Sequence, residues 1–118
     1  MILKSNGEYV ATHVEFACST FKQALGLMFR KDIPENYALV FVMKKCRKVS
    51  LHMLFVNFAI GVIFLDEDKR VVKLSELRPW TGVCSSDTKV KYIIETNKGI
   101  EKAANLNVGD VLSFENKC

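Results

Sequence analysis

Across residues 49–65 the chain runs almost free of charge, VSLHMLFVNFAIGVIFL, then turns polar at Asp66-Glu67-Asp68-Lys69 and apolar again at Val71-Val72. Ser50, His52, Asn57 and Gly61 interrupt the run, which falls short of the ~20 consecutive apolar residues of a membrane span. Its Phe, Val and Ile content predicts two buried strands around a break at 57–59. The charged tetrad predicts a hairpin loop joining a strand at 60–65 to one at 70–74, since longer hairpin loops are commonly built around a type I turn.

The same reading extends along the chain. Short strands are predicted at 9–11 and 14–16, a strong one at 37–43, one at 90–96 and a last one at 111–114. Thr20 followed by Gln23 has the spacing of a capping box. A helix over 21–29 follows, with Phe21, Ala24, Leu25 and Met28 at the spacing of one buried face. Gly26 inside it costs about 1 kcal/mol relative to alanine and points to close backbone packing. Asn97 is placed to cap a short helix reaching Ala104. Residues 75–88, with Pro79, Gly82 and several serines, predict an irregular connection anchored by Trp80. The sum is an α+β, predominantly β domain: a compact, small β-barrel-like sheet of about six or seven strands with two short helices.

Composition changes this picture little. A chain of 118 residues, 49% apolar and 25% charged, fits one globular domain spanning 1–118. The first ten residues carry no apolar stretch of the secretory kind, so a cytoplasmic location without membrane attachment is expected. Cys18, Cys46, Cys84 and Cys118 are scattered with no close pair, which predicts four free thiols, no metal site and no cofactor. Cys18 and Cys84 read as small buried residues. The acidic group at 66–68 reads as a hydrated hairpin tip, because a calcium loop needs six or more positioned oxygens. The net charge of +4 permits attraction to anions but falls short of the basic stripe usual in nucleic-acid binders.

Several segments together resemble a known family. Gly26-Leu-Met-Phe-Arg30, Leu39-Val-Phe-Val-Met43, His52-Met53 leading into Ile63-Phe-Leu-Asp66 with Lys69-Arg-Val-Val72, and Val108-Gly-Asp110 are similar to the domain of unknown function 192 family. Arg78-Pro-Trp80 and Lys91-Tyr-Ile-Ile-Glu95 resemble its archaeal branch. The resemblance spans nearly the whole chain and implies a compact β-rich fold with short helices, with no established activity. Many members carry a proline-apolar-aspartate pattern where this chain has Ala59-Ile60-Gly61. A lost general acid would remove a reaction, because glycine holds no proton, whereas a lost turn residue would leave the backbone shape intact. On the second reading, restoring the pair with Ala59→Pro and Gly61→Asp is expected to be tolerated.

Three functional readings follow. In the first, a non-catalytic binding module, Lys44, Lys45, Arg47 and Lys48 form an anion-attracting edge assisted by Arg30 and Lys31, with His52 and Trp80 as further ligand-contacting candidates. The plain alternative is a solvated strand edge guarded by lysines, since no aromatic residue is interleaved to stack bases. In the second, an enzyme, His52 serves a thiol nucleophile such as Cys46, which requires the imidazole within hydrogen-bond reach of the sulfur. In the third, a bare strand edge pairs with a second copy. The binding module is the reading adopted, with an anionic ligand or a protein as partner and nucleic acid less favoured. Trp80 fits a pocket wall or a plug that holds its loop down.

Overall fold

The computed structural model describes residues 1–118. In chain order it forms β1 (Ile2–Lys4), β2 (Tyr9–Ala11), β3 (His13–Ala17), α1 (Thr20–Leu25), β4 (Tyr37–Arg47), β5 (Ser50–His52), β6 (Ile60–Leu65), β7 (Val71–Leu77), β8 (Val83–Ser85), β9 (Val90–Asn97), α2 (Ile100–Ala103) and β10 (Leu112–Ser113). The fold is predominantly β, and no helix is long and apolar enough to cross a membrane.

The uninterrupted apolar runs have a direct cause. All of β6 and the first seven residues of β4 are buried, because both strands lie inside a five-stranded sheet of order β3-β4-β9-β6-β7 that is covered on both faces. Alternate side chains enter different cores. Ala38, Val40 and Val42 meet Ile63, Leu65 and Ile94 on one face, under the small sheet β10-β1-β2 and the segment around α2. Leu39, Phe41 and Met43 meet Ile60, Val62, Phe64 and Ile93 on the other. That second face is roofed by Leu27, Ile33, Met53 and Val56, with Leu51 and Cys84 of the two-stranded β5-β8 sheet packed beside them.

A barrel is not formed. β3 pairs with β4 in parallel, every other pairing in the sheet is antiparallel, and β3 and β7 stay as edges. A barrel has one interior, whereas a sheet apolar on both faces needs a layer over each. The strand count exceeds the sequence expectation through β1 and β8, ladders of three residues too short to show periodicity, while the strand expected ahead of the 57–59 break shrinks to β5. The hairpin at 66–70 does form, with Asp66 Oδ1 accepting from the Asp68 and Arg70 amides.

Both helices are shorter than their patterns predict. α1 ends at Leu25, and its cap is Ser19, whose Oγ accepts from the Lys22 amide at 3.1 Å. Phe21 is 75% exposed, so the predicted buried stripe is not the packed face; Leu27, beyond the helix, is the buried residue. Gln23 does not complete a capping box. Its Nε2 donates to the carbonyls of Ala17 and Val42, bridging the ends of β3 and β4 where their ladder stops. α2 begins after Gly99 at φ +86°, and Asn97 closes β9, where its amide donates to the Pro34 and Glu35 carbonyls.

The expectation of four free thiols is overturned: Cys18 and Cys118 are joined in a disulfide, and only Cys46 and Cys84 are free. The pairing spans 100 residues and follows from the path of the tail. Phe114 is buried against Phe16 and Tyr92, which returns the C-terminus to the end of β3, one residue before Cys18.

Candidate functional site

The basic stretch continues β4 rather than forming a loop. β3 pairs no further than Ala17 with Phe41, and the β9 ladder breaks between Val42 and Arg47, so this end of β4 is bare on one side and irregular on the other. Lys44, Lys45 and Arg47 there line a groove of about 480 Å³ with Cys18, Thr20, Gln23 and Met43. None of the three is in either of the two ion pairs of the molecule, Arg30 with Glu15 and Lys73 with Asp87. Lys91, which the sequence reading passed over, joins this edge by donating from Nζ to the Lys44 carbonyl at 3.0 Å. Lys48 is exposed just beyond the strand and does not line the groove.

Arg30 stands elsewhere. Its guanidinium donates to the Tyr37 hydroxyl at 2.8 Å, reaches Glu15 at 3.3 Å and lies over the Tyr37 ring. The Tyr37 hydroxyl and Arg30 together hold the Glu15 carboxyl below its ordinary range, while burial drives the Tyr37 hydroxyl well above its own. This Arg30 is occupied within the fold.

His52 closes β5 and is exposed, although the run it interrupts predicts buried strands. Its Nδ1 accepts from the Leu54 amide at 3.3 Å, which leaves Nε2 to carry the proton of the neutral ring. The proposed thiol partner is not beside it. Cys46 Sγ lies 4.0 Å from Glu67 Oε2 and is absent from the cavity that His52 lines. Cys84, half-buried on β8, has its thiol pushed up by burial, the reverse of what activates a nucleophile.

That cavity, about 90 Å³ beneath the C-terminal end of α1, contains a residue the sequence reading missed as functional. Glu95 sits on the central strand β9, opposite Leu39 and Val62, with its side chain directed into the second core. It is 7% exposed, and burial raises its carboxyl from the ordinary 4.5 to about 7, opposed only by Arg30. Gly26, at φ +48°, brings the end of α1 down over it: a Cβ there would lie 3.6 Å from Glu95 Oε1 and 3.4 Å from Phe41. The signal in the sequence was one acid inside the apolar strand Tyr92-Ile-Ile-Glu-Thr96. Gln23 lines both this cavity and the basic groove. A third, largely apolar depression shares Thr20, Met43 and Arg47 with the groove and Ala24, Phe41 and Leu51 with the cavity, so the three form one cleft along α1.

Trp80 is not a core plug, and it lies outside the cleft along α1. Half-exposed at 45%, it donates from Nε1 to Asn57 Oδ1 at 2.9 Å and meets the Phe55 ring edge-on, which stacks on Phe29. It does pin the 53–59 loop, through its amide to the Val56 carbonyl. Phe29, Phe55 and Trp80 all have φ near +63°, a conformation bulky residues rarely adopt. The acidic hairpin tip and the remaining side chains include no group of three His, Cys, Asp or Glu residues placed to hold a metal ion.

Comparison with known proteins agrees with this fold. A solved structure of a protein of unknown function from Novosphingobium aromaticivorans superposes with a TM-score of 0.85 at 21% identity, covering 96% of this chain and 81% of that one. A UPF0127 protein of Pyrococcus furiosus is 39% identical over 116 residues, 97% of either chain. A UPF0127 protein of Thermococcus sibiricus is 37% identical over 117 residues, 98% of this chain and 74% of that protein. The model of DUF192, described as an uncharacterized ACR, matches residues 1–114, and the chain belongs to that family.

Proposed function

We propose that this protein is a non-catalytic binding module that holds an anionic ligand in the groove of Lys44, Lys45 and Arg47. One observation carries the reading: three cations converge on a single groove and none has a carboxylate partner. An anion seated among them would relieve their mutual repulsion and add charge-assisted hydrogen bonds. The thiol and imidazole of a Cys-His enzyme do not share a cavity here, and the charged residues Glu15 on β3 and Lys73 and Glu76 on β7 disfavour pairing of a second copy along either edge. We place the module in the cytoplasm, where a disulfide persists if the cell interior sustains such bonds, as in hyperthermophilic archaea.

The test uses inorganic tripolyphosphate and a single-stranded RNA homopolymer as probes, titrated at low and high salt. Wild type is expected to bind with an affinity that falls as salt rises. Replacing Lys44, Lys45, Arg47 and Lys48 with glutamate should abolish binding, whereas the same reversal at the exposed Lys89, Lys98, Lys102 and Lys117 should leave most of it. Absent binding in wild type, or equal loss in both variants, overturns the groove.

A further inference from the structure

We propose that the cavity beneath α1 is a subsite for an alkylammonium group, with the Glu95 carboxylate as its counter-ion. The inference stands apart from the anion groove, which Glu95 does not line.

Glu95 is more than nine-tenths buried and lines the cavity; no side-chain hydrogen bond of the fold ends on its carboxyl, whose oxygens open onto the cavity. A carboxylate this deeply set is costly to ionise and is rarely kept without a use. Of the other polar side chains lining the cavity, Gln23 has an acceptor to offer and His52 its Nε2 donor. Both amide hydrogens of Gln23 are committed to main-chain carbonyls, so what remains for a ligand is Oε1. Three titratable or charged groups face Glu95: Arg30 after α1, His52 on β5 and Cys84 on β8. Arg30 is already bound to Tyr37 and Glu15.

Size and lining narrow the ligand. At about 90 Å³ the cavity is far below the several hundred Å³ of a drug-sized pocket, so it suits a small group. The walls are Leu27, Met28, Phe41, Leu51 and Val56, which suit a short methylene stem behind a charged head. An anion would meet the carboxylate, and a hard metal ion would find too few oxygens. A protonated alkylamine suits this lining: its charge meets Glu95, an N–H can reach Gln23 Oε1, and its methylenes meet the apolar walls. Binding such a cation draws the carboxyl into its ionised form and releases a proton from the fraction still protonated near pH 7.

The probe is propylammonium, with 1-propanol as the neutral control of equal size, and the readout is the Glu95 carboxyl carbon resonance followed through pH. In the free protein it should titrate near 7, and saturating propylammonium should lower the midpoint by at least one unit, while propanol leaves it in place. By the same ionisation, propylammonium affinity should be about tenfold greater at pH 8 than at pH 6, and Glu95→Gln should lose it. A midpoint unmoved by propylammonium, or moved as far by propanol, overturns the proposal. Because these readings are made on the wild-type chain, they decide the matter even if Glu95→Gln folds poorly. Loss of tripolyphosphate binding would bear only on the groove.

Discussion

Burial and charge conflict at Glu95, and the conflict has a sign. Its carboxyl ionises near 4.5 when the chain is unfolded and about 7 when folded, so between these values the folded state binds more protons and stability falls as pH rises. The stability is fully present below 4.5 and lost as pH passes 7. The difference is on the order of 3 kcal/mol. Glu95→Gln, which cannot ionise, should therefore be more stable than wild type at pH 8 and show a flatter profile between pH 4.5 and 7, as urea denaturation at several pH values would measure. Wild type should converge on the variant in acid. This residue was legible only as an acid in an apolar strand; its role depends on Gly26 descending over it from another element, which no local pattern records. Lys44, Lys45 and Arg47 were legible because four cations in five residues need no tertiary knowledge, whereas the detachment of Arg30 from them depends on where Tyr37 lies.

At the scale of elements, β6 and α2 decide what an aspartate at position 61 would meet. Gly61 pairs with Thr96, one register step from the Val62 and Glu95 pair, so position 61 faces the opposite side of the sheet from the Glu95 cavity. A Cβ there would sit 3.0 Å from the Asn97 carbonyl, from Thr96 Oγ1 and from Ile100 Cγ2 at the start of α2. Restoring aspartate is thus expected to be costly, against the expectation from sequence: Gly61→Asp should lose about 1–3 kcal/mol. Gly61→Ala should show the part due to crowding alone. Chemical denaturation of both variants, with and without Ala59→Pro, measures this, and an unchanged midpoint for Gly61→Asp would show that α2 shifts freely. The long apolar runs of β6 and of the first seven residues of β4 were readable because burial on both faces leaves them no polar position to confuse the pattern. α1 was misread because its helical spacing continues through Met28, while the chain actually leaves the helix at Gly26 to cover the sheet.

For the molecule as a whole, the Cys18–Cys118 bond closes a loop of 100 residues. Constraining so long a loop in the unfolded chain contributes roughly 2–4 kcal/mol. Cys118→Ser, or reduction of wild type, should lower stability by that amount, and denatured but unreduced protein should titrate two thiols, Cys46 and Cys84, rather than four. Finding four would show the bond to be absent in solution. Neither the layered arrangement nor the disulfide was readable from the sequence, because both are set by which distant segments cover which face of the central sheet. The bond also decides how the molecule answers a mechanical load. Pulled from its two ends, the oxidised chain carries tension only from Met1 to Cys18 and across the sulfurs to Cys118, which leaves β4 to β10 and α1 outside the stressed path. Its extension stops at about 18 residues, on the order of 60 Å at ~3.3–3.6 Å per residue. Residues 19–117, α1 among them, thus cannot be drawn out by a force that would unravel the reduced protein from end to end.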